Sequence, residues 1–289
     1  MLILKLTFIA VLPFANGDYE EQFEKLFKLT THDRSDAHVL LYKNETLPRL
    51  KKKSCAEMEK TELQVVNNLL ETLVFYSFDK PLTKMYVLCF NHLNKIDKQN
   101  KKDVADVYHN LYRVRLFDEA NEFYKKYSYL DMELLPQITN KTEILNSPVY
   151  VIEPTTKNTF KRKSFDYSNY DGIIVNATPL CGFCKYLISD VSEDKGMSIF
   201  MMLNSTWLSL PGRSKYFKNM EDWNNKHPYA RLSIIEDISD FTNLDFDGTP
   251  TIFFLKNGIV KDKLVGWPKE GRMRQLKELI KKYYSIDIH

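Results

Sequence analysis

Residues 172–177 (Gly-Ile-Ile-Val-Asn-Ala) form a nearly continuous apolar run, and four residues later Cys181-Gly182-Phe183-Cys184 opens a stretch of helical periodicity. An apolar run without alternation is the mark of a strand buried on both faces, which in turn needs helices above and below its sheet. The surrounding rhythm agrees with an α/β fold. Short strands are expected at 149–153 and 159–163, and a helix at 181–192. A second buried strand follows at 197–203, then a helix at 214–225, a strand at 231–235 and a short helix at 238–244. Asn257-Gly258 between two apolar runs, 251–256 and 259–265, is a hairpin signal, and 269–284 closes the chain as an amphipathic helix.

The cysteine pair carries the chemistry. Exchange needs a thiolate, and a helix N-terminus offers unpaired N–H groups and the positive end of the dipole to stabilise one. Cys181 sits at that terminus and is the expected exposed nucleophile. Cys184, one turn on, is placed to resolve a mixed disulfide by attacking Cys181. A C-x-x-C is also half of a zinc site, but zinc takes about four ligands, and Cys55 and Cys89 are not a matching second pair. Neither a metal nor another cofactor is expected. A purely structural disulfide is the other reading of the same spacing.

Gly248-Thr249-Pro250-Thr251 stands at the start of a later strand, in a position where proline is uncommon unless a special geometry is intended. A cis peptide there would turn the Thr249 backbone towards the cysteines. With strand, C-x-x-C helix and this proline in order, residues of about 148–289 resemble the thioredoxin superfamily. Within it they look most like the bacterial periplasmic disulfide isomerases, through the Cys-Gly-Phe-Cys centre, the Thr before the proline, and the tail from Gly248 to Met273. The resemblance implies a thioredoxin-like α/β fold with Pro250 facing the cysteines. It also implies substrate contact at Thr249, Pro250, Gly182 and Phe183. The chain departs from the pattern at Leu180, where thioredoxins carry Trp, and in 172–177, which holds no acid where they carry Asp. Its N-terminal half is helical, whereas those isomerases have a small β-rich dimerisation domain, so dimerisation is not implied.

That N-terminal half, residues 18–147, reads as an all-α domain preceding the thioredoxin-like domain at 148–289. Tyr19, Phe23, Leu26 and Phe27 draw one apolar stripe. Ser54-Cys55-Ala56-Glu57 has the form of a capping box opening a helix through Met58, Val66, Leu70 and Leu73. Pro81 suits the start of the next helix, which carries Cys89. A Cys55–Cys89 bridge would clamp that helical hairpin; two buried free thiols are the alternative. Residues 103–127 resemble a single tetratricopeptide-like helix pair, one unit where an array needs about three. Their aromatic side chains Tyr108, Tyr112, Phe123, Tyr124 and Tyr127 are expected in a core.

Lys5 followed by the apolar stretch 6–14, with Ala15 and Gly17 before Asp18, has the form of a signal peptide over residues 1–17; a buried N-terminal helix is the competing reading. The stretch is too short to span a bilayer, which takes about 20 residues. A periplasmic or secreted protein without an integral membrane segment is therefore expected, in a compartment where disulfides persist. Lys+Arg 41 against Asp+Glu 38 leaves +3, too little to suggest a nucleic-acid partner, and the basic runs 51–53 and 161–163 read as solvated loops. Of the sequons at Asn44, Asn140, Asn176 and Asn204, the one at Asn176 would lie in a buried strand. The expected function is a protein-disulfide reductase or isomerase acting on disulfide-bonded protein substrates. It would work with a redox partner protein and a possible further protein partner on the helical domain. The alternative is a non-catalytic thioredoxin-fold scaffold with a structural disulfide.

Overall fold

The computed structural model describes residues 54–130, 132–141, 143–152, 159–210, 217–246 and 248–288. The expected signal peptide, the stripe from Tyr19 to Phe27 and the Asn44 sequon lie outside them. The chain divides into two units, one ending at Gln99 and the other beginning at Asn100.

In the first unit the capping box at Ser54 forms, with the Glu57 carboxylate accepting from the Ser54 N–H at 2.8 Å. It opens only a single 3-10 turn, Cys55–Glu57. The backbone then extends at Met58 and Glu59, which buries the Met58 side chain, before α1 (Lys60–Ser77) begins. The expected continuous helix from Ser54 is thus two pieces. Phe78 ends α1 in the left-handed region, and Asp79 caps α2 (Lys80–Ile96) by accepting from the Leu82 N–H at 2.7 Å. Leu63, Val66, Leu70 and Leu73 of α1 and Leu82, Tyr86, Phe90 and Leu93 of α2 are buried together with Cys89. Cys55 and Cys89 are joined as a disulfide.

The second unit begins with α3 (Lys101–Arg113) and α4 (Phe117–Lys126), so the helix pair does not belong with the first unit, and the boundary lies at 99/100 rather than at 147/148. The reason is tertiary. Phe117 stacks on Phe160 of the sheet at 5.1 Å between ring centroids and meets Tyr150 edge-on at 5.4 Å. Arg115, buried at the break between the helices, donates from Nε and Nη2 to the Ile235 carbonyl, both at 3.2 Å, and from Nη1 to the carbonyls of Tyr112 and Arg113. Burial pulls its pKa down to about 10. Of the expected core aromatics, Tyr108, Tyr112, Phe123 and Tyr127 are buried and Tyr124 is half-buried.

An eight-stranded mixed sheet carries the rest. In chain order its strands are β1 (Gln137–Thr139), β2 (Pro148–Ile152), β3 (Thr159–Ser164), β4 (Gly172–Asn176), β5 (Ser205–Ser209), β6 (Leu232–Ile235), β7 (Thr251–Lys256) and β8 (Ile259–Val265), and in space they run β1-β3-β2-β6-β5-β4-β7-β8. β4, β5 and β6 are parallel, and β7 and β8 are antiparallel additions beside β4. The connections from β4 to β5 and from β5 to β6 are helical: α5 (Gly182–Glu193), α6 (Lys195–Asn204) and α7 (Phe217–Lys226). α8 (Met273–Tyr284) ends the chain, its Tyr284 hydroxyl donating to the Gly172 carbonyl at 2.6 Å and accepting from the Leu255 N–H at 3.1 Å.

The strand expected at 197–203 is α6. Met197, Phe200 and Met201 are buried while Ile199, Met202 and Leu203 are exposed, a helical spacing, and Asp194 caps the start by accepting from the Met197 N–H at 2.9 Å. The strand next to β4 is instead β5, which the sequence pattern did not announce. At the β7–β8 hairpin Asn257 and Gly258 both have positive φ, 49° and 69°, as a two-residue turn of this hand requires. A Cβ on Gly258 would lie 2.1 Å from the Ser168 carbonyl oxygen, so only glycine fits. Among the described residues, no helix is long and apolar enough to cross a membrane.

Candidate active site

β4 is fully buried and delivers the chain at its carboxyl end to Thr178-Pro179-Leu180, from which α5 starts. Because β7 runs antiparallel to β4, with Asn176 opposite Thr251, the beginning of β7 arrives at the same end of the sheet. The topology therefore brings residues 248–250 against the cysteines, although 68 positions of sequence separate Cys181 from Thr249. The Thr249–Pro250 peptide is cis. Cys181 Sγ donates to the Thr249 carbonyl oxygen at 3.3 Å.

Cys181 is the N-cap of α5 and its sulfur accepts from the Cys184 N–H at 3.3 Å. The partial burial of Cys181 pushes its thiol up. Hydrogen bonds from the Cys184 thiol, the Thr249 side chain and the Cys184 and Phe183 amides outweigh that, and the group lies below the ordinary thiol value. Cys184 is the reverse case. It is buried, and burial holds its thiol far above the ordinary value; a bond from the Thr178 backbone opposes the rise, the neighbouring Cys181 sulfur adds to it, and the Thr249 side chain opposes it least. Both are free thiols. One sulfur is thus partly open and acidified, and the other is covered and protonated one turn behind it.

The approach to Cys181 is apolar. Leu180 and Phe183 are each 55% exposed and Tyr186 is 39% exposed, large side chains that a folded core would normally cover. Gly182 has open space where a Cβ would stand. Of the residues singled out from the sequence, Cys181, Cys184, Gly182, Phe183, Thr249 and Pro250 come to one place, while Cys55 and Cys89 form a separate pair in the first unit. Among the described residues, no cluster of three metal-ligating side chains occurs.

Three contributors were not singled out for a role. Asn176 donates from Nδ2 to the Gly248 carbonyl at 2.8 Å; it was visible as the one polar residue in an apolar run. The Gly266 N–H donates to the Pro250 carbonyl at 2.8 Å. Trp267, fully buried, donates from Nε1 to Asp190 of α5 at 2.7 Å, which ties the segment after β8 to the helix bearing the cysteines. The latter two depend on contacts far apart in sequence and left no local signal.

No family model matches the chain, and no curated protein matches it. Among solved structures the chain is similar to a thioredoxin candidate from Neisseria meningitidis, at 14% identity and a TM-score of 0.30, over 50% of this chain and 92% of that one. It is also similar to a thioredoxin-like protein from Bacteroides caccae, at 13% identity and a TM-score of 0.29, over 89% of this chain and 95% of that one.

Proposed function

We propose that this chain is an exported thiol–disulfide oxidoreductase, a protein-disulfide reductase or isomerase working through Cys181 and Cys184. The observation that carries the reading is the unequal pair of sulfurs. Cys181 is acidified at a helix N-terminus and faced by the Thr249 carbonyl at 3.3 Å, and Cys184 is buried and protonated behind it. The Cys181 thiolate attacks one sulfur of a substrate disulfide; an S–S bond forms to Cys181, and the other substrate sulfur leaves as a thiolate that takes up a proton. Cys184 then gives up its proton and attacks Cys181 Sγ, closing the Cys181–Cys184 disulfide and releasing the second substrate thiol. Two electrons pass from the dithiol to the substrate, and a partner dithiol restores the pair. When a different thiol of the same substrate first attacks the substrate sulfur bonded to Cys181, a new substrate disulfide forms, the Cys181 thiolate leaves, and the outcome is isomerisation.

The backbone at Thr249 is suited to hold an extended substrate segment as an added strand, with Leu180, Phe183 and Tyr186 taking apolar side chains that flank the target disulfide. Such segments are exposed in proteins that have not finished folding. The export assignment rests on the leader-like residues 1–17. The helical unit is assigned to docking of substrate or of a partner protein, on the strength of Leu88 and Ile96 standing exposed on α2.

The full chain should reduce the interchain disulfides of insulin, and Cys184→Ser should accumulate a substrate linked to Cys181 that dithiothreitol releases. A chain inert towards insulin, whose Cys184→Ser form traps nothing, would instead be a scaffold with a structural cysteine pair.

A further inference from the structure

Asn176 ends β4 fully buried, after apolar residues that fill the core. Its Nδ2 reaches the Gly248 carbonyl, while its Oδ1 is buried without a hydrogen-bond partner. A buried amide oxygen with no protein partner is costly, and an apolar residue of similar volume would avoid it. A local rule broken this way, next to reacting groups, points to a compensating gain close by.

The gain lies in the loop that Asn176 touches, where three consecutive carbonyls are held differently. The Gly248 carbonyl accepts from Asn176 Nδ2 at 2.8 Å and from Thr251 Oγ1 at 2.9 Å. The Pro250 carbonyl accepts from the Gly266 N–H at 2.8 Å. Between them the Thr249 carbonyl is left to face Cys181 Sγ. With the outer two fixed, the middle peptide has one orientation available. A Cβ on Gly248 would lie 3.1 Å from Val265 Cγ1, so this stretch is also closely packed from the β8 side.

We infer that Asn176 is a positioning residue, which through the Gly248 carbonyl holds the Thr249 carbonyl against the Cys181 thiol and so sets how readily that sulfur gives up its proton. Its purpose rests on the oxidoreductase reading above, but its measurement does not. In the full-length protein, Asn176→Leu removes the donor and the buried oxygen that has no protein partner together, so thermal stability should be kept or raised. The Thr249 carbonyl, which accepts from the Cys181 thiol, would then hold the protonated form less well. The midpoint of Cys181 alkylation by iodoacetamide should move to lower pH, with the rate near neutrality rising about three- to tenfold as the thiolate fraction grows. Thr251→Val, which removes the other donor to the same carbonyl, should move the midpoint the same way by less.

A folded Asn176→Leu protein with an unchanged Cys181 titration would overturn the inference; should that variant not fold, Asn176→Ala is judged on the same curve. If the midpoint shifts while the unaltered protein fails to reduce insulin, Asn176 positions the sulfur and the oxidoreductase reading is what falls. If insulin is reduced and the midpoint stays, the reverse holds.

Discussion

The chain holds two pairs of cysteines, one in each unit, and they differ in everything but the element. Cys55 and Cys89 lie 34 residues apart and join a 3-10 turn to the interior of α2, where Cys89 is fully buried. Cys181 and Cys184 are one helical turn apart, free, with the first at a helix N-terminus. A fully buried sulfur in the interior of a helix, already joined to a second sulfur, serves as a staple. A sulfur that caps a helix, accepts amide N–H groups and keeps part of its surface open can react. Position on the helix separates the two roles.

The sharpest way to break this contrast is by exchange activity. Cys181→Ser should abolish insulin reduction, down to the uncatalysed rate, whereas the Cys55→Ser, Cys89→Ser double variant should leave the initial rate within about twofold, as for a change that removes none of the reacting sulfurs. An equal loss from both would erase the distinction.

Stability should separate the units next. Phe117→Ala empties a ring site between α4 and the sheet and should cost about 3–5 kcal/mol. In denaturant titrations the loss should appear in the second unit's transition and not the first's; a shift confined to the first unit would return α3 and α4 to it. Removing the Cys55–Cys89 bridge should cost roughly 3–4 kcal/mol through the freed loop entropy of the unfolded chain, and this loss should fall on the first unit.

The smallest effect concerns the reactive pair itself. Because Cys181 is held below the ordinary thiol value, its thiolate fraction near neutrality exceeds that of a free cysteine. Its alkylation rate should rise with pH about a midpoint lower than that of an unperturbed thiol, about 8.5. Cys184, held up by burial, should resist alkylation until the protein unfolds. A Cys181 midpoint at or above that of a free thiol would contradict the hydrogen bonding described here.

Much of the site could be read from local patterns. The apolar run of β4, the C-x-x-C at a helix start and the Asn257-Gly258 turn each declare themselves within a few residues, because strand burial, helix capping and hairpin chirality are short-range requirements. Two kinds of feature were not legible. Met197–Leu203 is dense in apolar residues, and density concealed the helical spacing of Met197, Phe200 and Met201, so a strand was expected where α6 lies. β5 is short with polar residues at both ends, and its neighbours β4 and β6 make it a strand. The unit boundary was misplaced for a related reason: α3 and α4 look like any helix pair until Phe117 meets Phe160, 43 positions on. Asn176 shows both sides. Its oddity was visible in the run, while its partner, the Gly248 carbonyl, is 72 residues away.

The stacking of Phe117 on the sheet also decides where the chain can be trimmed. A fragment begun at Pro148 would strip two helices away and turn the faces of Tyr150 and Phe160 to water, a greasy flank that invites clumping during expression. A fragment begun at Asn100 keeps that flank covered and retains the Arg115 guanidinium on the Ile235 carbonyl. The cut that looks natural from the β-strands alone is the one to avoid.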